Sequence, residues 1–325
     1  MIPLHPSNMS HLYLLSPSSA VLDRASLRRG IKQLEAVGHT VEVDACALDR
    51  DTRFAGADAD RLAAIKRAAN SGADAVLTTR GGYGLSRLLH VLPYKAIEKS
   101  IDKGTRWVGF SDFTAFSLAV FAKTGRTSWA GPAVLEDFGA AEGPDDITAL
   151  CFEDLMANMS EGTGWRIAKD DPTNFSAKGL TLWGGNLSML CSLVGTPYMP
   201  RVERGALFLE DVAEAPYRIE RMLTQLLHAG VLAHQKVIFL GAFNRFSKSP
   251  QDRGFGIKSV VAWLRANTKA KVLTGLPFGH VRTKVLLPMG QTVDVAAMDR
   301  EVLVLWPHDH GHAHHDGGHH HEHAH

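Results

Sequence analysis

The sequence lacks three features that would each place it in a class: a cysteine framework, an excess charge and a long apolar run. Its three cysteines, Cys46, Cys151 and Cys191, have no C-x-x-C spacing, which excludes a disulfide scaffold and a zinc knuckle. The formal net charge of +1 gives no electrostatic reason to expect a nucleic-acid or membrane partner. No window reaches the ~18 uncharged apolar residues of a membrane span.

The N-terminus also lacks the pattern of a secretory leader. It reads M-I-P-L-H-P-S-N-M-S, with neither a basic nor an apolar segment. Because sparse cysteines fit a reducing compartment, we expect a cytoplasmic protein. The remaining composition, 45% hydrophobic and 21% charged over 325 residues, predicts about two globular domains.

The C-terminus is dominated by histidine. Ten of the 17 histidines lie between His308 and His325. A segment of this composition cannot bury a core, so we predict a disordered tail over 308–325. Imidazole clusters bind divalent transition metals, so a native tail would suit metal storage or buffering, whereas an artificial one would have no such role. Neither case indicates a catalytic metal.

Strands and helices alternate in the first half of the chain. Short apolar strands at L-Y-L-L, T-V-E-V, A-D-A-V-L-T-T-R and W-V-G-F are separated by helical segments, two of which end at Gly38 and Gly72. This order predicts a parallel sheet covered by helices. The second half has more strand-like sequence. We therefore predict an α/β domain over 1–160, a smaller β-rich domain over 161–307 and the tail.

A serine stands at one predicted strand end, where ligands of parallel sheets bind. Ser111 follows W-V-G-F and precedes the helical F-T-A-F-S-L-A-V-F-A-K. It is either an N-cap, worth ~1 kcal/mol, or a nucleophile whose oxyanion is held by free backbone N–H groups. The nucleophile-elbow pattern G-x-S-x-G is half matched, because Gly109 is present but Phe113 replaces the second glycine. This stretch alone favours the cap.

A serine nucleophile needs a base and an orienting carboxylate, and two other strand ends offer them. His280 follows an apolar strand in G-L-P-F-G-H-V, and A-L-F-L-E-D-V runs an apolar strand into Glu210 and Asp211. Each has a structural alternative: the acids can pair with Arg218, and the histidine can be a satisfied loop residue. The order serine, acid, histidine at three strand ends favours a triad.

Two glycine-rich segments remain. R-G-G-Y-G, from Arg80 to Gly84, fits neither a dinucleotide fingerprint nor a P-loop, so it is either a tight turn or a loop that offers an N–H beside Ser111. Arg80 is a candidate for binding a substrate carboxylate with its guanidinium fork. W-G-G-N-L-S-M-L is interpreted as a glycine turn entering a short helix, where Asn186 caps the helix or lines a pocket, capping being favoured.

The ordered set of motifs resembles the LD-carboxypeptidase family of serine peptidases, which includes the microcin C immunity peptidases. The segments are R-G-G-Y-G, G-F-S-D-F-T-A, G-G-N-L-S, F-L-E-D-V-x-E-x-P-Y-R-I-E-R-M-L and P-F-G-H. The resemblance implies a parallel, flavodoxin-like α/β domain and a smaller β-rich domain, with the site between them and neither metal nor organic cofactor. It implies Ser111 as nucleophile, His280 as base and Glu210 as its acid. An oxyanion hole at Asp112 and Gly82 is expected with it. Substrate contacts are predicted at Arg80, Gly81, Tyr83 and Asn186.

The resemblance also implies a reaction. The enzyme would hydrolyse the amide between an L-centre and a terminal D-residue, releasing D-Ala from murein tetrapeptides during cell-wall recycling. A homodimer is compatible with the resemblance. One alternative is a microcin-type peptidase that cuts an aminoacyl-nucleotide, for which Trp183 is a candidate nucleobase contact. A second is a non-catalytic sugar- or nucleotide-binding α/β protein, and a third, raised by the tail, is a metal-handling protein.

Overall fold

The structure, a computed structural model, describes residues 9–247 and 249–307. The predicted histidine-rich tail lies outside these residues. In the described part the strands are β1 His11–Leu15, β2 Thr40–Val43, β3 Ala75–Thr78, β4 Arg106–Gly109, β5 Ser128–Ala130, β6 Gly162–Arg166, β7 Phe175–Asn186, β8 Gly205–Val212, β9 Gln235–Asn244, β10 Lys271–Thr274, β11 Leu287–Met289, β12 Thr292–Met298 and β13 Glu301–Leu305. The α-helices are α1 Arg24–Ala36, α2 Asp58–Asn70, α3 Tyr94–Asp102, α4 Phe113–Thr124, α5 Asp146–Met156, α6 Leu187–Ser192, α7 Pro216–His228 and α8 Ile257–Asn267.

The first sheet has the strand order β11-β5-β4-β3-β1-β2. Strands β1 to β5 are parallel and follow the 2-1-3-4-5 order of flavodoxin-like folds. The predicted fold class is therefore confirmed: an α/β protein with a parallel sheet and a second, strand-rich part. The boundaries at 160 and 307 stay predictions.

Both faces of this sheet are buried at β1 and β3, where successive residues point to opposite sides and each side is covered by helices. Leu12, Leu14 and Leu77 pack in one apolar cluster with α1 and α5. Tyr13 and Val76 pack in the other, with α2, α3 and α4. The alternation explains why these short strands are apolar throughout.

The second sheet has the order β10-β9-β8-β7-β12-β13-β6. Strands β7 to β10 are parallel, with α7 and α8 in the connections between β8, β9 and β10. Strands β12, β13 and β6 extend the sheet in antiparallel fashion. The carboxyl ends of β8 and β10 lead to the predicted acid and base.

Helix α4 joins the two sheets. Its first eight residues, Phe113 to Val120, are all buried, so this part of the helix has no solvent face. It packs against β5 of the first sheet and against β7 and α6 of the second. A helix that is apolar on all sides is stable only when surrounded by protein. The element that follows Ser111 is thus fixed from both sides.

The segment W-G-G-N is the end of a strand, and the prediction of a glycine turn there is wrong. Gly184 and Gly185 are the two residues before Asn186, the last residue of β7, and α6 begins directly after it. A Cβ on Gly184 would lie 2.0 Å from the carbonyl oxygen of Phe208, and one on Gly185 2.4 Å from Thr114 Oγ1. The glycines therefore allow β8 and α4 to approach β7 closely.

Strand β11 returns from the second half of the chain to the first sheet. It pairs antiparallel with β5, with Leu287 opposite Ala130. Leu287 is buried in the core shared by both sheets. No helix in the described ranges is long and apolar enough to cross a membrane.

We expect the return strand to stabilise the junction of the sheets. Leu287→Ala should lower the free energy of unfolding by about 2–5 kcal/mol, because it removes a buried side chain and leaves a cavity. Urea denaturation measures this. Leu305→Ala, at a position 45% exposed on β13, is the control and should change little. Equal urea midpoints for the two variants would contradict a stabilising role of β11 at the junction of the sheets.

Candidate active site

Ser111 lies in a strained turn between β4 and α4. Its φ angle is 63°, in the left-handed region that residues with a side chain rarely adopt. A Cβ on Gly109 would lie 2.8 Å from the ring of Phe113, so this turn closes only with glycine at that position. Strain of this kind persists where the surroundings enforce it, and it is typical of functional residues.

The hydroxyl of Ser111 does not cap the helix. Asp112 occupies the N-cap position of α4, and no side chain makes a capping hydrogen bond there. Ser111 Oγ instead lies 3.1 Å from His280 Nε2. The cap interpretation, which the local sequence favoured, is therefore not what the geometry shows.

The other ring nitrogen of the histidine meets a carboxylate. His280 Nδ1 lies 2.8 Å from Oε2 of Glu210, whose side chain is fully buried. A Cβ on Gly279 would lie 2.9 Å from that carboxylate oxygen, so the loop approaches Glu210 closely only with glycine before the histidine. Asn244 Nδ2 donates to the carbonyl of His280 at 3.0 Å. The three predicted residues form one hydrogen-bonded chain suited to moving a proton from the serine.

Asn186 supports the carboxylate end of this chain. Its Nδ2 group donates to Glu210 Oε1 at 3.1 Å and to Asp211 Oδ1 at 3.0 Å. Its Oδ1 accepts from the backbone N–H of Met189, so it also caps α6 as favoured. Its backbone N–H donates to Thr114 Oγ1 on α4. These contacts engage both ends of the amide, so a substrate contact by this side chain stays a prediction.

Asp112 fastens the loops around the nucleophile. Its Oδ2 accepts from Ser18 Oγ at 2.7 Å and from the backbone N–H of Leu85 at 2.9 Å. Burial raises the pKa of this carboxyl above its usual range, and these hydrogen bonds oppose that shift only in part. In the described ranges the backbone N–H groups of Gly82 and Asp112 donate to no protein acceptor. Both predicted oxyanion donors thus lack an acceptor among the residues that the structure describes.

The R-G-G-Y-G loop contributes to the site in different ways. A Cβ on Gly81 would lie 2.8 Å from the Ser111 Cβ, whereas one on Gly82 would meet Ser19. Arg80 donates to the carbonyl of Ala20 at 3.3 Å. Tyr83 is partly exposed, and its ring lies beside Phe54 and Arg53. Gly81 therefore abuts the nucleophile, whereas the ring contacts of Tyr83 are with Phe54 and Arg53.

Comparison with known protein families assigns the chain. Residues 12–131 match the LD-carboxypeptidase N-terminal domain and residues 180–295 the LD-carboxypeptidase C-terminal domain. The chain belongs to the LD-carboxypeptidase family. It is therefore an enzyme, and the non-catalytic alternative is not supported.

Relatives of this carboxypeptidase agree with the assignment. It is 33% identical over 301 residues to a putative carboxypeptidase of Streptomyces coelicolor, covering 90% of this chain and 92% of the relative. It is 26% identical over 295 residues to a probable murein peptide carboxypeptidase of Bacillus subtilis, covering 90% of each.

Solved structures show the same fold. The muramoyltetrapeptide carboxypeptidase from Oxalobacter formigenes superposes with a TM-score of 0.82 at 38% identity, covering 91% of this chain and 98% of that one. The microcin C7 self-immunity protein MccF in complex with aspartyl sulfamoyl adenosine gives 0.82 at 21% identity, covering 92% and 96%. At that identity the second likeness shows the fold alone.

Sequence reasoning missed two features of the carboxypeptidase site. It did not place Asp112 as the side chain that ties Ser18 and Leu85 to the nucleophile turn. It also did not find that Asn186 bridges Glu210 and its neighbour. In each case the signal was weak, since the residue's own segment shows no partner and the contacts come from distant parts of the chain.

Within the described ranges, no group of three or more His, Cys, Asp or Glu could hold a metal ion.

We expect Gly81→Ala to lower the turnover of the carboxypeptidase by about 10²-fold while leaving it folded. The added methyl would lie 2.8–2.9 Å from Ser111 Cβ and Oγ, and the hydroxyl must move. Misplacement of a reacting atom by about 1 Å costs about 10²-fold in rate. Steady-state kinetics measures the turnover, and thermal unfolding shows whether the variant is folded.

Gly256→Ala is the matched control, because a Cβ there meets only an atom 3.9 Å away. It should keep wild-type turnover. Unchanged turnover in Gly81→Ala would show that the loop does not constrain the serine.

Proposed function

We propose that this carboxypeptidase releases terminal D-Ala from a murein tetrapeptide, using Ser111, His280 and Glu210 as a catalytic triad. The observation that carries the proposal is the hydrogen-bonded chain of 3.1 Å and 2.8 Å through His280. Similarity to a probable murein peptide carboxypeptidase and to a muramoyltetrapeptide carboxypeptidase supports the substrate class. Recycling of wall fragments in the cytoplasm is the setting we infer, and a homodimer stays a prediction.

Acylation begins at the serine. Ser111 Oγ bonds to the carbonyl carbon of the diamino acid, and its proton passes to His280 Nε2. Glu210 accepts the Nδ1–H bond, which fixes the tautomer and stabilises the imidazolium. The carbonyl oxygen, now negative, accepts from the N–H groups of Gly82 and Asp112, a kind of contact typically worth ~3 kcal/mol per donor.

The tetrahedral intermediate then collapses. The C–N bond breaks, the amine of D-Ala takes the proton from His280, and an acyl-enzyme remains. Water attacks this ester, gives its proton to His280, and the C–O bond to Ser111 breaks as the hydroxyl regains a proton. The strained backbone at residue 111 presents the hydroxyl to the base throughout.

A carboxypeptidase must also recognise a free carboxylate, and Arg80 is our candidate. It immediately precedes Gly81, which abuts the serine. Its Nε–H is buried and has no hydrogen-bond acceptor among the described residues. Because this Nε–H is out of reach of a ligand, a substrate carboxylate would pair with the Nη groups of the guanidinium, of which Nη1 also donates to the carbonyl of Ala20.

The muropeptide is favoured over an aminoacyl-nucleotide. The self-immunity protein MccF is 26% identical over 244 residues and covers 66% of this chain. However, the aromatic side chain considered for a nucleobase, Trp183, is only 1% exposed. Its indole N–H donates to Gln235 Oε1 at 2.9 Å, as a core residue would.

The triad is tested by product analysis. Wild-type enzyme incubated with L-Ala-γ-D-Glu-diamino acid-D-Ala should release D-Ala, detected by mass spectrometry. Ser111→Ala should lower kcat by on the order of 10⁶-fold, and Glu210→Gln by about 10⁴-fold because the histidine loses its orienting charge.

Two substrates serve as controls. The tetrapeptide with terminal L-Ala should not be cleaved, and an aminoacyl-sulfamoyl adenosine should be cleaved slowly or not at all. Cleavage of the nucleotide compound alone would move the enzyme to the immunity branch. Release of D-Ala by Ser111→Ala at the wild-type rate would refute the mechanism.

Arg80 is tested separately. Arg80→Gln should raise KM by about 10–100-fold, since it removes a hydrogen bond to a charged group, with a smaller effect on kcat. A tetrapeptide ending in a carboxamide should show the same penalty with wild-type enzyme. The variant should suffer no further loss with that substrate, and a full additional loss would show that Arg80 does not bind the carboxylate.

A further inference from the structure

A buried lysine lies beneath the proposed triad. Lys284 is only 2% exposed and comes four residues after His280. A buried ammonium is costly unless its N–H groups are all engaged. The contacts of this one are therefore informative.

Three partners surround the ammonium. Nζ donates to Asp137 Oδ1 at 2.5 Å and to the carbonyl oxygen of Val281 at 2.6 Å. It also lies 4.8 Å from the centroid of the Phe110 ring, in a cation–π contact. One positive charge thus contacts the residue after the proposed base and the residue before the proposed nucleophile.

Phe110 links the lysine to the base itself. Its ring lies 5.0 Å from the ring of His280, at an interplanar angle of 58°. The phenyl ring therefore lies in contact with the ammonium of Lys284 and with the imidazole of His280. If the lysine moved, the segments that carry His280 and Ser111 would both shift, and the hydrogen bond between these two residues would lengthen or break.

Asp137 anchors the lysine to the first sheet. It belongs to a π-helix over Val134–Phe138, and its Oδ2 accepts from the backbone N–H of Ala133 at 2.8 Å. The same segment is held to the end of β3 by a hydrogen bond from Leu135 N to Thr79 O. Burial raises the pKa of the Asp137 carboxyl, and the ammonium opposes this. The ion pair thus ties the loop of His280 to the sheet that carries Ser111.

Stability alone does not explain why Lys284 and Asp137 form a buried ion pair. Replacing a buried ion pair by uncharged side chains of similar size is often neutral or stabilising. The hydrogen bond to Val281 and the cation–π contact with Phe110, by contrast, are both lost with an apolar residue. We propose that Lys284 is a positioning residue that holds the His280 loop and the Ser111 turn in register. This inference rests on the proposed function of Ser111 and His280.

The test is the double variant Lys284→Met with Asp137→Asn, which leaves no isolated buried charge. It should remain folded, with Tm within a few degrees of wild type and KM nearly unchanged. Its kcat for D-Ala release should fall by about 10²-fold, as expected for displaced reacting groups. A residue that only stabilises the fold would change Tm and leave kcat alone.

A second buried pair is the matched control. His39 Nε2 lies 3.0 Å from Glu153 Oε1. His39 directly precedes β2, so it lies at the amino ends of the strands, whereas Ser111 lies at their carboxyl ends. His39→Gln with Glu153→Gln should change Tm at most. Wild-type kcat in the Lys284 variant, or an equal loss of kcat in this control, would overturn the proposal.

Phe110→Leu provides the independent variant in case the double variant does not fold. It keeps apolar volume but removes the ring between the ammonium and the imidazole, so kcat should again fall with KM preserved. Full kcat in this variant would overturn the proposal. Ser111→Ala is assayed alongside: if it stays active, the proposed function fails as well. If it is inactive while the Lys284 and Phe110 variants keep full kcat, only this inference fails.

Discussion

The hydrogen bond between His280 and Ser111 is the contact on which the site depends. It joins residues 169 positions apart in the chain, one in the turn after β4 and the other in the loop after β10. Its length is set by how the two sheets pack, and a packed core does not deform continuously. Helix α4, buried on every side over its first eight residues, fixes the serine from both sheets, and β11 carries the chain that follows His280 back into the first sheet. The fold thus turns a long-range contact into a rigid one.

Buried negative charge is the second constraint. Glu210 and Asp211 are neighbours, and both are buried. Asn186 donates one N–H to each, so two carboxylates share a neutral partner. Burial and the neighbouring Glu210 charge raise the pKa of the Asp211 carboxyl, while hydrogen bonds from Ser188 lower it. An aspartate in place of Asn186 would put a third carboxylate here, which explains why an amide suits this position.

The sequence predicted the elements that depend on local pattern. The parallel sheet followed from apolar strands alternating with capped helices, and Ser111, Glu210 and His280 were found because each follows an apolar strand where a polar residue is unexpected. The geometry brings these three together, although their catalytic roles remain a proposal.

What could not be predicted depends on distant partners. Strand β7 was misread at its end because Gly184 and Gly185 look like a turn, and only the approach of β8 and α4 explains them. Lys284 looks like an ordinary polar residue until its contacts with Asp137 and Phe110 are seen. Side chains whose function lies in tertiary contacts leave no periodic signal in their own segment.

The half-matched elbow pattern has a steric explanation. In G-x-S-x-G, glycines two positions before and after the nucleophile make room for a sharp turn. Here the ring of Phe113 lies against Gly109, close enough that a Cβ on the glycine would be 2.8 Å away. The side chain at the second position fills the space that the first leaves empty, so one glycine suffices. Because that ring also belongs to the buried core, the packing of α4 itself holds Ser111 at its positive φ. The strain that presents the nucleophile is therefore maintained by the same apolar contacts that join the two sheets.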